Sequence, residues 1–114
     1  MALKGKFDLS YANEKLYTAV SYMVASPKSL HDRIEGAFGS FHTLLPPHNF
    51  KNIPAEIQSQ LQEIYEVLTR EKAKGSEGNV RATLNVMSEG KAQDLAQKIF
   101  DLYYEVHDLY EAQK

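Results

Sequence analysis

The sequence predicts one all-α domain, a compact bundle of four long helices and one short helix that spans residues 1–114. Apolar residues recur at intervals of three and four and almost never alternate with polar ones, which is the helical period rather than the strand period. Proline or glycine interrupts this pattern at a few places, where connections are expected. The 114 residues are 43% apolar and 25% charged, which is ordinary globular usage.

The first two helices are predicted from apolar stripes on either side of a short connection. Asp8 or Ser10 caps helix 1, which runs to about Ala25. Ser26 followed by Pro27 is typical of a cap and a first-turn proline, so helix 2 is expected to begin there, antiparallel to helix 1. The inward positions are Ala12, Leu16, Ala19, Val20 and Met23 in helix 1, and Leu30, Ile34, Ala37, Phe41 and Leu44 in helix 2.

The doubled proline Pro46-Pro47 ends helix 2, and an extended segment held by Phe50 and Ile53 follows. Pro54 opens helix 3, which is expected to reach about Ala73. The inward row of helix 3 is Ile57, Leu61, Ile64 and Leu68.

The last two helices follow a glycine-containing turn at 74–79. A short helix over 80–87 places Val80, Leu84 and Met87 inward. Ser88 then caps a long final helix that reaches about Ala112.

The final helix carries two adjacent apolar rows. The first is Leu95, Ile99, Leu102, Val106 and Leu109, and the second, about 100° around the helix, is Ala96, Phe100, Tyr103, His107 and Tyr110. One interpretation places both rows inside the bundle, with helices 1 and 3 on one side and helix 2 on the other. The other makes Phe100, Tyr103, His107 and Tyr110 an interface with a second chain, because tyrosine is common at interfaces.

Histidines and carboxylates give weak signals for metal chemistry. His31 and His42 share a face of helix 2 with Glu35 but lie about 16 Å apart along the axis, too far to share one ion. We therefore predict no metal site, no catalytic residue and no cofactor.

The pairs Glu63/Glu66 and Glu105/Asp108 loosely resemble those with which all-α nucleotide pyrophosphatases hold magnesium. Helical geometry places them on solvated faces, so a metal- or nucleotide-dependent hydrolase is an alternative only.

Arg81 is the candidate for anion binding. Glycines and a helix N-terminus lie beside it in the stretch 75–81, an arrangement that favours a phosphate or carboxylate. The competing interpretation is an ordinary glycine turn with Arg81 paired to a carboxylate. A small-anion sensor is therefore a further alternative function.

Composition excludes several classes of function. The chain has no cysteine, which removes disulfides and thiolate chemistry and fits a reducing compartment. The net charge is −2 and no basic cluster is denser than 70–74, so no nucleic-acid partner is expected. Without a signal peptide or a long apolar run, we predict a cytoplasmic protein with no membrane contact.

The stretches "EGNVRATLNVMS" and "LAQKIFDLYYEV", with "SLHDRI" and "LPPHNF…IPAEI", resemble a family of short uncharacterised bacterial proteins. The resemblance covers most of the chain beyond residue 29 and implies a bacterial origin and a compact helical fold, but no activity. From the residues themselves we expect a small non-enzymatic interaction or regulatory module, homodimeric through its C-terminal helix if the second row is an interface.

Overall fold

Five α-helices account for most of the residues that the computed structural model describes, namely 9–45, 53–75 and 78–114. They are α1 (Leu9–Ala25), α2 (Leu30–Phe41, followed by a 3₁₀ turn at His42–Leu44), α3 (Ala55–Leu68), α4 (Asn79–Asn85) and α5 (Glu89–Gln113). These ranges contain no strand, which confirms the all-α prediction with four long helices and one short helix. Among these helices, none has the length and apolar character that a membrane span requires.

The caps of the helices agree with the sequence at α5 but not at α2. The Ser88 hydroxyl accepts the Lys91 backbone N–H at 3.1 Å, as predicted. The predicted cap at Ser26 is wrong, because α2 begins at Leu30 and Ser29 caps it by accepting the Asp32 N–H at 3.2 Å. A helix that begins after Ser29 has Asp32 in its first turn. The negative charge of Asp32 interacts favourably with the positive N-terminal end of the helix dipole.

Two further boundaries bear on the predictions for the N-terminal half. Ser10 lies inside α1 and is not its cap, while Asp8 lies outside the described residues. The segment 46–52, with Phe50, also lies outside them, whereas Ile53 is buried as predicted.

Helix α3 ends at Leu68, five residues before the predicted end. The Thr69 hydroxyl donates to the Tyr65 carbonyl at 2.8 Å, which satisfies one of the last carbonyls of the helix. Beyond it, the backbone N–H of Glu71 donates to the Thr83 hydroxyl at 2.9 Å, and that of Ala73 donates to the Asn79 side chain at 2.8 Å. Side chains of α4 therefore supply the hydrogen bonds that a longer α3 would have made within itself.

One hydrophobic core joins residues of all five helices. The predicted inward rows of α3 and α5 are buried, except that Leu109 is partly exposed. In α1 and α2, Val20 and Leu30 are partly exposed and the other predicted inward positions are buried. The one buried polar side chain among the described residues is Thr83, which binds the connection after α3.

Helix α5 lies between α1 and α3. Tyr17 of α1 packs on Tyr103, with ring centroids 6.1 Å apart, and Lys98 on the other flank of α5 binds Glu63 of α3 at 3.1 Å. The expectation that helices 1 and 3 share one side of the last helix is therefore wrong. Helix α1 also packs extensively on α2.

Contacts at the two ends show that α1 and α2 are antiparallel, as predicted. The Tyr11 hydroxyl donates to Thr43 at 2.9 Å, and the Arg33 side chain donates to the Met23 carbonyl at 2.8 Å.

The packing of α1 on α2 places the ring of Tyr22 directly against Gly36. A Cβ built on Gly36 would overlap the ring of Tyr22, whereas one built on Gly39 meets no atom within 4 Å. We expect Gly36→Ala to lower the free energy of unfolding by about 1–3 kcal/mol through overpacking. Gly39→Ala should raise it by about 0.5–1 kcal/mol, because alanine loses less backbone entropy in a helix. Urea denaturation of both variants measures this, and two changes of the same sign would contradict the packing described.

Candidate functional site

The second apolar row of α5 is only partly covered by α1. Ala96 and Tyr103 pack against the core and remain partly exposed. His107 is half-buried, with its Nδ1 3.2 Å from the Asn13 side-chain oxygen and its ring 5.7 Å from that of Tyr103. Tyr110 is partly exposed near the end of α5, with the Lys114 ammonium 4.8 Å from its ring centroid. Helix α1 therefore buries the inner edge of the row and leaves the outer edge in solvent.

An exposed apolar surface runs along the outer edge, where α1 and α5 meet. We call it the aromatic face and define it by Tyr17, Val24, Phe100, Tyr103 and Tyr104. Four of these residues are large exposed hydrophobics, with exposed fractions of 58% for Tyr17, 79% for Val24, 43% for Phe100 and 58% for Tyr104. A groove of about 330 Å³ between Val24 and Phe100 extends the face toward α2.

The rings of the aromatic face form a continuous chain. The ring centroids are 6.1 Å apart for Tyr17 and Tyr103 and 6.5 Å apart for Tyr103 and Phe100. Phe100 stacks on Tyr104 with a centroid distance of 6.3 Å and an interplanar angle of 17°. Such contacts restrict the rings before any partner arrives, which lowers the entropy lost on binding.

The sequence identified only part of this face. Phe100 and Tyr103 were predicted, and His107 and Tyr110 lie farther along α5. Tyr104 was missed, although its spacing of four from Phe100 was a readable signal. Tyr17 and Val24 lie outside the apolar stripe of α1, and only the packing of α1 on α5 brings them to the face.

Arg81 is held by two carboxylates of α2. Its Nη2 donates to Asp32 Oδ1 at 2.8 Å and also to Glu35 Oε1. Hydrogen bonds to Glu35 and Asp32 raise the pKa of Arg81, and the hydrogen bond from Arg81 lowers the pKa of Asp32. This is the carboxylate pairing that the sequence left open as the alternative to anion binding. With two carboxylates for one guanidinium, the local charge disfavours a further anion at Arg81.

The pairing predicts a specific loss of stability in acid. Because the pKa of Asp32 lies below its ordinary value of 3.8, the carboxylate stabilises the fold above that value. This contribution is lost as the pH falls below 3.8 and through the lowered pKa. Unfolding free energies of the wild type and Asp32→Asn should differ by a constant amount between about pH 5 and pH 7 and converge in acid. Asp108→Asn, which removes an exposed carboxylate, is the control, and a difference that persists in acid would contradict the pairing.

His31, Glu35 and His42, for which the sequence predicted no metal site, bind other partners. His31 Nε2 lies 2.8 Å from the Met87 carbonyl and donates to it, and Glu35 binds Arg81. His42 Nδ1 lies 3.0 Å from the Gly39 carbonyl. No group of three or more histidine, aspartate or glutamate side chains in the described ranges is arranged to hold an ion.

Three of the four paired carboxylates are exposed as the helical geometry predicted, whereas Glu105 is partly buried against α3. Glu63 and Glu66 are exposed on α3, where Glu63 binds Lys98 and Glu66 accepts a hydrogen bond from Gln62 at 3.3 Å. On α5, Glu105 accepts a hydrogen bond from Gln60 at 2.9 Å, and Asp108 is exposed.

The chain matches no known protein family, no curated protein and no solved structure. The resemblance to short bacterial helical proteins therefore stays a prediction. What points to a function is the surface chemistry, above all the aromatic face.

Proposed function

We propose that the protein is a non-enzymatic interaction module that self-associates as a homodimer through the aromatic face. The observation that supports this most strongly is the chain of four rings, of which Tyr17, Phe100 and Tyr104 are substantially exposed, beside the exposed Val24. The largest exposed apolar patch of a protein is often a site of interaction, and aromatic residues are enriched at interfaces.

The charge distribution suits an interface as well. The exposed polar side chains of α5 that line the groove are the uncharged Gln93 and Gln97, and Gln97 donates a hydrogen bond to Asp101 at 2.8 Å. Interface centres are depleted in charged residues and surrounded by polar rims. The centre of the face is therefore uncharged. Asp101 and Asp108 lie at its rim, and Arg33, the cation that lines the groove, donates to the Met23 and Lys28 carbonyls.

The dimensions of the face predict a weak dimer. Helix α1 has 17 residues, so two helices side by side over that length offer roughly 500 Å² of projected area. Stable interfaces bury about 800 Å² on each partner, so this face lies toward the small end. We expect a dissociation constant on the order of 10 μM, with α1 and α5 of each copy forming a four-helix layer across a two-fold axis.

Light scattering behind a size-exclusion column tests self-association. The mass should rise from one chain to two as the concentration passes from about 1 μM to about 1 mM. A mass of one chain at every concentration would overturn the homodimer.

We also propose that the protein is cytoplasmic. A chain without cysteine has no disulfide that the reducing conditions of the cytoplasm could break.

A further inference from the structure

A second surface feature, distant from the aromatic face, is a cavity of about 290 Å³ where the end of α3, α4 and the start of α5 meet. Its volume is near the lower end of the range for ligand pockets, roughly 300–1,000 Å³. The residues that give it its chemistry are Val67, Arg70, Glu71, Val86, Met87 and Lys91.

The charged wall of the cavity holds two cations. Arg70 and Lys91 are exposed, and neither side chain forms a hydrogen bond or an ion pair with the part of the chain that the structure describes. Arg81, by contrast, is neutralised by Asp32 and Glu35. Arg70 also begins the densest basic stretch of the sequence, 70–74, and Glu71 is the one acidic side chain that lines the cavity.

The other wall of the cavity is apolar, and a hydrogen bond holds the backbone at its base in place. Val86 is 70% exposed although it lies between α4 and α5, and Val67 and Met87 are partly buried. Beneath them the buried Thr83 accepts the Glu71 backbone N–H, which ties the connection after α3 to α4. A ligand with an apolar part over Val86 and an anionic group near Arg70 and Lys91 would contact both walls of the cavity.

We propose that this cavity binds a small amphiphilic anion, a carboxylate or phosphate group on a short apolar chain. The Arg70 guanidinium suits such a head group because its planar fork donates two parallel hydrogen bonds, and Lys91 adds a second positive charge. Lys91 and Phe100 are nine residues apart on α5, which places them about 180° apart around the helix. Ligand binding and self-association therefore occupy opposite sides of α5 and can be tested separately.

The experiment is a nuclear magnetic resonance titration of the ¹⁵N-labelled full chain with hexanoate and with hexyl phosphate. We expect saturable shifts of the Val86, Met87 and Lys91 amides, with a dissociation constant on the order of 1 mM or tighter for at least one of the two head groups. Inorganic phosphate and 1-hexanol, which carry the head or the chain alone, should bind about tenfold more weakly. The tighter of hexanoate and hexyl phosphate identifies the head group, and saturation by neither overturns the proposal.

Three variants locate the site. Arg70→Ala should weaken binding about tenfold, and Glu71→Gln should tighten it a few-fold because a repulsive charge is removed. Lys72→Ala, which changes an exposed cation of the same stretch outside the cavity, should leave binding unchanged. A gain of binding in Glu71→Gln does not follow from damage to the fold, so it separates the proposal from a structural effect. Equal binding by the wild type, Arg70→Ala and Glu71→Gln would overturn it.

Discussion

Replacing Phe41 by alanine should lower the free energy of unfolding by about 3–5 kcal/mol. Phe41 has an exposed fraction of 0%, ends α2 and packs edge-on against Phe38 at 5.4 Å. Its removal leaves a cavity that the 3₁₀ turn and the surrounding helices fill only in part. Because domains of this size have stabilities of roughly 5–15 kcal/mol, the loss is a large fraction of the total. Urea denaturation followed by circular dichroism measures it.

Phe100→Ala is the matched control for this prediction. Its ring is 43% exposed, so in dilute solution the same truncation should cost less than about 1 kcal/mol. Equal losses for the two variants would contradict the assignment of Phe41 to the core and of Phe100 to the surface.

Tyr104→Asp should weaken self-association by about 30-fold or more. Tyr104 has the most exposed ring of α5 and stacks on Phe100, so the substitution removes apolar contact and places a negative charge beside Asp101 and Asp108. Truncation of an interface tyrosine at an energetic hot spot costs about 2 kcal/mol or more, which corresponds to that change in the dissociation constant. Sedimentation equilibrium on the wild type and the variant provides the measurement.

Tyr65→Asp controls for a charge placed at an exposed tyrosine. Tyr65 is 38% exposed on α3, away from the aromatic face, so its variant should dimerise like the wild type. The helical circular dichroism of both variants should match that of the wild type. If both variants weaken the dimer equally, the aromatic face is not the interface.

The sequence predicted the helices and the core well because both depend on local periodicity. The row Ile57, Leu61, Ile64 and Leu68 is buried as its spacing required, and Ser88 caps α5. Helix ends were less predictable where distant atoms decide them. The end of α3 depends on Thr83 and Asn79, which belong to α4, and no local pattern reveals those hydrogen bonds.

In the candidate site, too, the residues that share a local pattern could be predicted, and those brought together from distant parts of the chain could not. Phe100 and Tyr103 stood out because they share a row on one helix. Tyr17 and Val24 come from a helix that is distant in sequence, and the side of α5 that α1 occupies cannot be read from either stripe. The partners of Arg81 lie 46 and 49 residues away, so composition alone could not separate an ion pair from a free cation.

The central claim is that the aromatic face becomes buried between two copies. The rate of thiol alkylation at a single introduced cysteine tests this claim most directly. The chain has no cysteine, so Gln97→Cys and Gln62→Cys each carry one reactive group. The two glutamines are matched, because each donates to a carboxylate four residues later, but Gln97 borders Phe100 whereas Gln62 lies on the outer surface of α3. We predict that alkylation of Gln97→Cys slows as protein concentration rises through the micromolar range, while that of Gln62→Cys stays constant. Rates that do not change with concentration at Gln97→Cys, or that fall equally at both positions, would contradict burial of the aromatic face between two copies.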